Sequence, residues 1–416
     1  MPHAHVPDAR TARPRHVVIV GGGVMGSATA WCLAREHGIR VSVVERDASY
    51  ARASSARSVC AIRQQFSTAI NIRLSQASLH FYRDIGRRLA VGDEAPDIGL
   101  EEPGYLYLAA TGTGASVLQE QQVLQRAHDV HTALLDRAAL AARFPWLAVD
   151  DLALGALGLS TPTSGEGWFD GHAALQAFRR AAVAAGVRYV EREVVGFDTI
   201  RDDGAQRVTA VRTRPADAAI PADAVVITAG AWSAPVAEHL GVSLPVRARK
   251  RDVFAIEASA AATAAMRSAP LVIDPSGVWF RPERVPGRFL GGAPPRHGDP
   301  DDVPLDQVDH GLFDEVIWPV LAARVPAFDA LRVTACWAGY YEMNTVDHNG
   351  LVGPLPGTTN AFTACGFSGH GLQQAPAVGR GLAERIATGR YVTLDLSPLR
   401  VERLAEGQPL LERNVI

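Results

Sequence analysis

The chain has 416 residues, 47% of them apolar and 20% charged, with a formal net charge of −3 at pH 7. This is ordinary globular composition, long enough for two or three structural units, and it excludes a disordered chain. Lys and Arg are scattered, without the basic stripe of a nucleic-acid binder or of a protein drawn to anionic membranes.

Cys32, Cys60, Cys336 and Cys365 lie far apart with no C-x-x-C pair, which fits a reducing compartment and no metal site. Residues 1–14 combine Arg, His and Pro without an apolar core and read as a loose tail rather than a secretory signal. Outside the first glycine turn no apolar run reaches membrane-spanning length, so the expectation is a cytoplasmic protein with no membrane insertion.

Residues 15–47 read as one βαβ unit for a dinucleotide. A β-branched run, Val17 to Val20, stops at Gly21, and the apolar spacing then becomes helical. Gly21, Gly23 and Gly26 fill G-x-G-x-x-G: a tight turn, close approach to pyrophosphate, and close helix–strand packing. Val24 and Met25 open the helix whose free N–H groups face the phosphates. Val41 to Val44 form a second strand ending in Glu45, a ribose acid that argues against NADP, and Arg46 follows along the adenine. NAD and FAD both remain possible at this point.

Residues 48–67 are rich in Ser and Ala and read as a loop letting backbone approach a flat ligand. Residues 68–90 read as an amphipathic helix burying Ile72, Leu79, Phe81, Tyr82 and Ile85. From 103 to 110 a strand is expected, and from 115 to 143 a helix running up to Pro145. A helix over 172–185 stops at Gly186, and residues 187–213 alternate, with a hairpin turn at Asp203-Gly204. Residues 224–233 repeat the pattern of a buried strand ending on a small-residue turn, Ala229-Gly230, followed by Trp232. Residues 245–257 and 277–292 supply strands lining a cavity, and 293–304 is solvated loop. Residues 361–390 then give a strand, a turn of Gly366, Gly369 and Gly371, and a helix closed by Gly389. A simple NAD dehydrogenase leaves this second glycine turn unexplained. A flavin, whose ring needs positive potential at its pyrimidine edge, uses it.

GGGVMG, SSARSVCAIRQ, VVITAGAW and GFSGHGLQQAP together resemble the D-amino-acid oxidase superfamily of FAD oxidoreductases, in its sarcosine oxidase, dimethylglycine dehydrogenase and glycine oxidase branch. IRQQFS and WAGYYEMNTVDHNG look most similar to members linked to assembly of a mitochondrial respiratory complex. The resemblance implies an α/β fold: a Rossmann-like FAD-binding domain discontinuous in sequence (1–90, 151–244 and 336–416), with an inserted α+β substrate domain on a mainly antiparallel sheet (91–150 and 245–335). It implies that Gly21, Gly23, Gly26 and Glu45 take the ADP part of FAD, that Val194 touches the adenine through its backbone, and that Ala229 and Gly230 abut the pyrophosphate. Ser54, Ser55 and Arg57 follow the ribityl side, near Gly339, while Gly369, His370, Gly371 and Leu372 approach the flavin pyrimidine.

The same resemblance places the substrate carboxylate on Arg63, whose planar fork suits bidentate binding. Three positions depart from sarcosine oxidases. Gln373 stands where a lysine shares the carboxylate. Tyr340 stands at the cysteine that tethers the flavin, with Cys336 displaced, so non-covalent FAD is expected. Trp279 stands at the lysine tied to oxygen activation, which leaves O2 or another electron acceptor open. Lys250 is a candidate replacement cation, and Tyr341, Glu342 and Glu283 are candidate polar walls. The implied activity is oxidation of the C–N bond of a secondary or tertiary amino acid by hydride transfer to flavin N5, giving an imine that hydrolyses. The rivals are a 2-hydroxy acid oxidoreductase and a non-catalytic FAD-binding assembly factor.

Overall fold

The computed structural model describes residues 13–202, 204–215 and 218–415. Its first strand, His16–Val20, is buried along its whole length, as a Val/Ile run covered on both faces must be. It is the centre of a six-stranded sheet in the order Leu351–Pro354, Ala361–Cys365, Ala224–Ile227, His16–Val20, Arg40–Glu45, Arg188–Glu191. All pairings are parallel except at the Leu351–Pro354 edge. On one face the helix Val24–Arg35 packs between Gly171–Ala184 and Gly371–Thr388. Phe81 and Phe178 stack at 5.3 Å beside Trp31 in that core. The other face is covered by a three-stranded sheet of Glu193–Asp202, Ala205–Arg214 and Ala218–Pro221, through Val18, Val20, Val208 and Val211. Asp203 of the expected hairpin turn lies outside the described residues, whereas Gly204 has the positive φ, +82°, that such a turn requires.

The second sheet has eight strands, in the order Arg332–Asn344, Val246–Glu257, Arg288–Gly292, Trp279–Pro282, Leu271–Ile273, Tyr105–Ala109, Leu154–Gly158, Thr132–Leu135. One pair, Leu271–Ile273 with Tyr105–Ala109, is parallel and the rest are antiparallel. Its own core is aromatic, built on Phe254, Phe280, Phe289 and Phe328.

Two expected boundaries move. Leu154–Gly158 pairs with Tyr105–Ala109, and the whole of Arg332–Asn344 pairs with Val246–Glu257, so both belong to the eight-stranded sheet rather than the nucleotide-binding part. The expected helix over 115–143 is broken. It runs Gly112–Arg126, turns at Asp129 with φ +57°, pairs as the edge strand Thr132–Leu135, and resumes as Arg137–Arg143. Edge pairing overrides the helical propensity of the Ala/Leu pattern there. The loop 48–67 holds a short helix, Ser54–Arg57, and a two-residue strand, Ala61–Ile62. The helix of residues 68–90 buries the expected set but ends at Arg83 and restarts at Ile85.

Candidate active site and cofactor cleft

A cavity of about 1000 Å³ opens at the carboxyl ends of the parallel strands and extends under the second sheet. Ligands of open α/β sheets bind at this edge.

The glycine turn shows how its residues divide the work. A Cβ on Gly26 would lie 2.0 Å from Gly21 O, and one on Gly21, whose φ is +99°, would lie 2.5 Å from Thr228 O. These two positions are closed by packing. A Cβ on Gly23 would meet nothing nearer than Ser55 Oγ at 3.7 Å, so Gly23 offers bare backbone to the cavity. Gly26 does not line it; its role is the close helix–strand contact. Glu45 accepts from Gly22 N at 2.8 Å and Asp47 N at 3.0 Å, and keeps lone pairs for a further donor. Burial pushes its pKa up against those bonds. Arg46 is held 3.9 Å over the Trp232 ring, with Arg52 also against that ring at 5.6 Å, and Val194, Ala229 and Gly230 complete this part of the wall.

Ser54, Ser55, Arg57 and Gly339 line the cavity where the short helix meets the second sheet. Ser54 Oγ donates to Tyr340 O at 2.7 Å, Arg57 NH1 to Ala338 O at 2.9 Å, and Trp337 Nε1 to Arg57 O at 2.9 Å. These polar side chains therefore clamp the loop to the sheet. At the other glycine turn, Gly369 (φ +93°) lets the Tyr341 ring approach, since a Cβ there would lie 2.6 Å from the ring. Gly371 then starts an 18-residue helix, and Leu372 O accepts from Tyr82 at 2.6 Å.

Arg63 lines the cavity and is 5% exposed. Its NH2 donates to His370 Nε2 at 2.9 Å and to Asn414 O, its Nε has no partner, and among the described residues no carboxylate comes within ion-pair distance. Burial alone favours losing the proton, but Tyr107, Tyr105 and Glu412 outweigh it and hold the guanidinium charged. The rings of Phe66 and Tyr105 lie 4.8 and 5.6 Å from its central carbon. Gln373 lines the cavity, yet its Oε1 is taken by Arg63 N at 2.8 Å and Ser75 Oγ at 3.2 Å.

His370 is corrected from cavity wall to support. It is buried, absent from the lining, and must accept through Nε2, because arginine only donates. Burial and the Arg63 charge push its pKa down to about 3. The unfolded chain takes up this proton near pH 6.5 and the folded chain does not, so stability falls as pH falls. Denaturant titrations between pH 6.5 and 5 are expected to lose up to about 1.4 kcal/mol per pH unit from this residue, and His370→Gln to flatten the slope by that amount.

Lys250 is also corrected. Its Nζ binds Asp252 at 3.1 Å and Gln307 O, and it does not line the cavity. Glu283 lies outside as well, 3.7 Å from Arg281. Tyr341, Glu342 and Trp279 do line it.

Three residues escape sequence reasoning. Glu166, fully buried, accepts from Gln64 N, Gln65 N and Gln65 Nε2 at 2.6 to 2.9 Å and fixes the loop carrying Arg63. Burial raises its pKa to about 7. Glu412 accepts from Ser67, Thr68 and Asn71, anchoring the segment that brings Asn414 to Arg63. Burial opposes its charge, but these hydrogen bonds hold its pKa below the usual carboxylate value. No local pattern marks any of these; the GEG around Glu166 is the sole hint of crowding.

Bare backbone at Gly23 and Gly230, the Glu45 acceptor and a helix start at Gly371 facing one long cavity fit a flavin dinucleotide. The profile of the FAD dependent oxidoreductase (DAO) family matches residues 16–385. The chain is 40% identical to FAD-dependent oxidoreductase domain-containing protein 1 of Xenopus laevis, over 96% of this chain and 84% of that protein. It is 27% identical to a glycine oxidase of Pseudomonas putida, over 93% and 98%. The crystal structure of glycine oxidase from Geobacillus kaustophilus superposes with a TM-score of 0.76 at 25% identity, over 94% of this chain and 99% of that one. The chain belongs to the DAO family of FAD-dependent oxidoreductases and, like its members, binds FAD.

Proposed function

We propose that the chain oxidises the C–N bond of a secondary or tertiary amino acid, an N-alkyl amino acid, to an imine that water then hydrolyses. The observation that carries this reading is Arg63: a buried guanidinium that, among the described residues, has no carboxylate partner, with one donor unused, on the wall of the cavity. Such a group attracts a carboxylate strongly, because both partners are desolvated in one rigid geometry. His370, Asn414 and Gln373 hold Arg63 in place, so the substrate carboxylate sets where its amine-bearing carbon lies. Tyr105 and Tyr341 wall the same cavity. Bound FAD supplies a two-electron acceptor. The glycine oxidases among the relatives support an amino-acid substrate.

The 2-hydroxy acid alternative needs a base at the hydroxyl. His370 does not serve, since its Nε2 lone pair is engaged by Arg63. We read the FAD as non-covalent: the Tyr340 hydroxyl donates to Val303 O at 2.8 Å, and Cys336 contributes nothing to the cavity wall. Four free cysteines, three of them buried, support a reducing, cytoplasmic setting. No described helix is long and apolar enough to cross a membrane.

The test is anaerobic titration of the yellow protein with N-alkyl amino acids, primary amino acids and 2-hydroxy acids, followed by admission of air and a peroxide assay. Bleaching is expected with N-alkyl amino acids. Bleaching by hydroxy acids alone, or by nothing in the panel, refutes the reading, and peroxide distinguishes O2 from another acceptor.

A further inference from the structure

Glu342 lines the cavity from the strand Arg332–Asn344, on the face opposite to its neighbour Tyr341. Its Oε2 is shielded from solvent and has no hydrogen-bond partner among the described residues. The carboxyl sits between the two turns that cradle the dinucleotide. Oε1 lies 3.1 Å from where a Cβ on Gly371 would stand, and Oε2 4.0 Å from where one on Gly230 would stand. Among the described residues beyond that turn, Glu342 Oε2 alone comes within 4 Å of the Gly230 position. Gly371 leaves space for the Glu342 carboxyl and the Phe367 ring, Gly230 takes a positive φ of +56°, and both line the cavity beside the unsatisfied Oε2.

We propose that Glu342 holds a proton against bound FAD, its neutral carboxyl donating Oε2–H to an oxygen of the dinucleotide between the Gly230 and Gly371 turns. Two arguments choose the neutral form. A buried carboxylate without a cationic partner is costly, and a ligand carrying two phosphate charges adds repulsion at short range. Burial already raises this pKa to about 7, with backbone N–H groups of Gly366 and Phe367 the only influences opposing it. The inference is independent of the substrate, because it concerns the cofactor alone.

The charged and titratable groups on the surrounding elements are accounted for. Cys365, on the adjoining strand, is pushed up to about 12 by burial, and His370, preceding the helix, is held neutral. On the paired strand Lys250 is engaged with Asp252, and Arg247, Arg249 and Arg251 with Asp299 and Asp301. The Gly230–Trp232 turn carries no titratable side chain. The part of the pH dependence of the FAD dissociation constant that Glu342→Gln removes should therefore follow one proton.

The experiment is equilibrium dilution of the holoenzyme from pH 6 to 9, with released FAD read by its fluorescence. For the wild type, Kd is expected to rise roughly 50-fold between pH 7 and 9. Glu342→Gln, which keeps shape and donor, should vary less than about threefold over that range and match the wild type at pH 6. A flat wild-type profile overturns the proposal without need of any variant. So does a Kd that falls with rising pH, which would mean an ionised acceptor, or a Gln variant that keeps the wild-type slope.

Discussion

Arg63→Met is expected to lower kcat/KM for amino-acid substrates by roughly 10²–10³-fold while the protein stays yellow. Truncating one partner of a buried charge pair costs about 2–5 kcal/mol, and each 1.4 kcal/mol is a factor of ten. Part of the loss should fall on kcat, because the guanidinium fixes where the reacting carbon sits as well as whether the carboxylate binds. Arg63→Lys keeps the charge but not the fork, and should fall between. Steady-state kinetics, with the flavin spectrum and melting temperature as controls, decide the matter. An Arg63→Met enzyme with intact kcat/KM removes the substrate carboxylate from the site.

Gly26→Ala is expected to yield colourless protein. The added Cβ would stand 2.0 Å from Gly21 O and 2.7 Å from Thr228 Oγ1, both in the packed seam between helix Val24–Arg35 and the sheet. Gly21 O is backbone and the Thr228 hydroxyl is itself bonded to Val20 O and Gly21 O, so little can yield and the helix start must shift. Overpacking of this kind costs about 1–3 kcal/mol of stability, and FAD affinity should fall by at least about 100-fold as the N–H cradle moves. Gly23→Ala separates the two effects. Its Cβ has room in the chain, with Ser55 Oγ at 3.7 Å, so the FAD-free protein should keep its melting temperature and only FAD binding should weaken. Equal melting losses in both variants would show that Gly23 is a packing position too.

The parts of this molecule legible in its sequence are those set by near neighbours. The two glycine turns announce themselves because the steric demand and the residues meeting it lie within a few positions, as Gly21 and Gly26 show. Lys250 was open to the same reading: residues two apart on a strand share a face, and Asp252 is its partner. What eluded the sequence is assembled across hundreds of residues. Arg63 draws its ring contact from Phe66 but its supports from His370, Gln373 and Asn414, and no spacing rule links such positions. The strand Thr132–Leu135 was hidden for a related reason, since its partner, Leu154–Gly158, decides its conformation more than its own Ala/Leu composition does.

The seating of Arg63 by residues near 370 and 414 bears on how the protein is made. A ribosome delivers the loop with the guanidinium early, when neither the imidazole nor the carbonyl that steadies it exists. The six-stranded sheet waits likewise for its outer strands, Leu351–Pro354 and Ala361–Cys365. The guanidinium therefore takes its final seat only after the segments carrying His370 and Asn414 have followed it out of the ribosome. The seat of Arg63 is thus a property of the assembled fold, reached only when residues 307 and 351 positions apart have met.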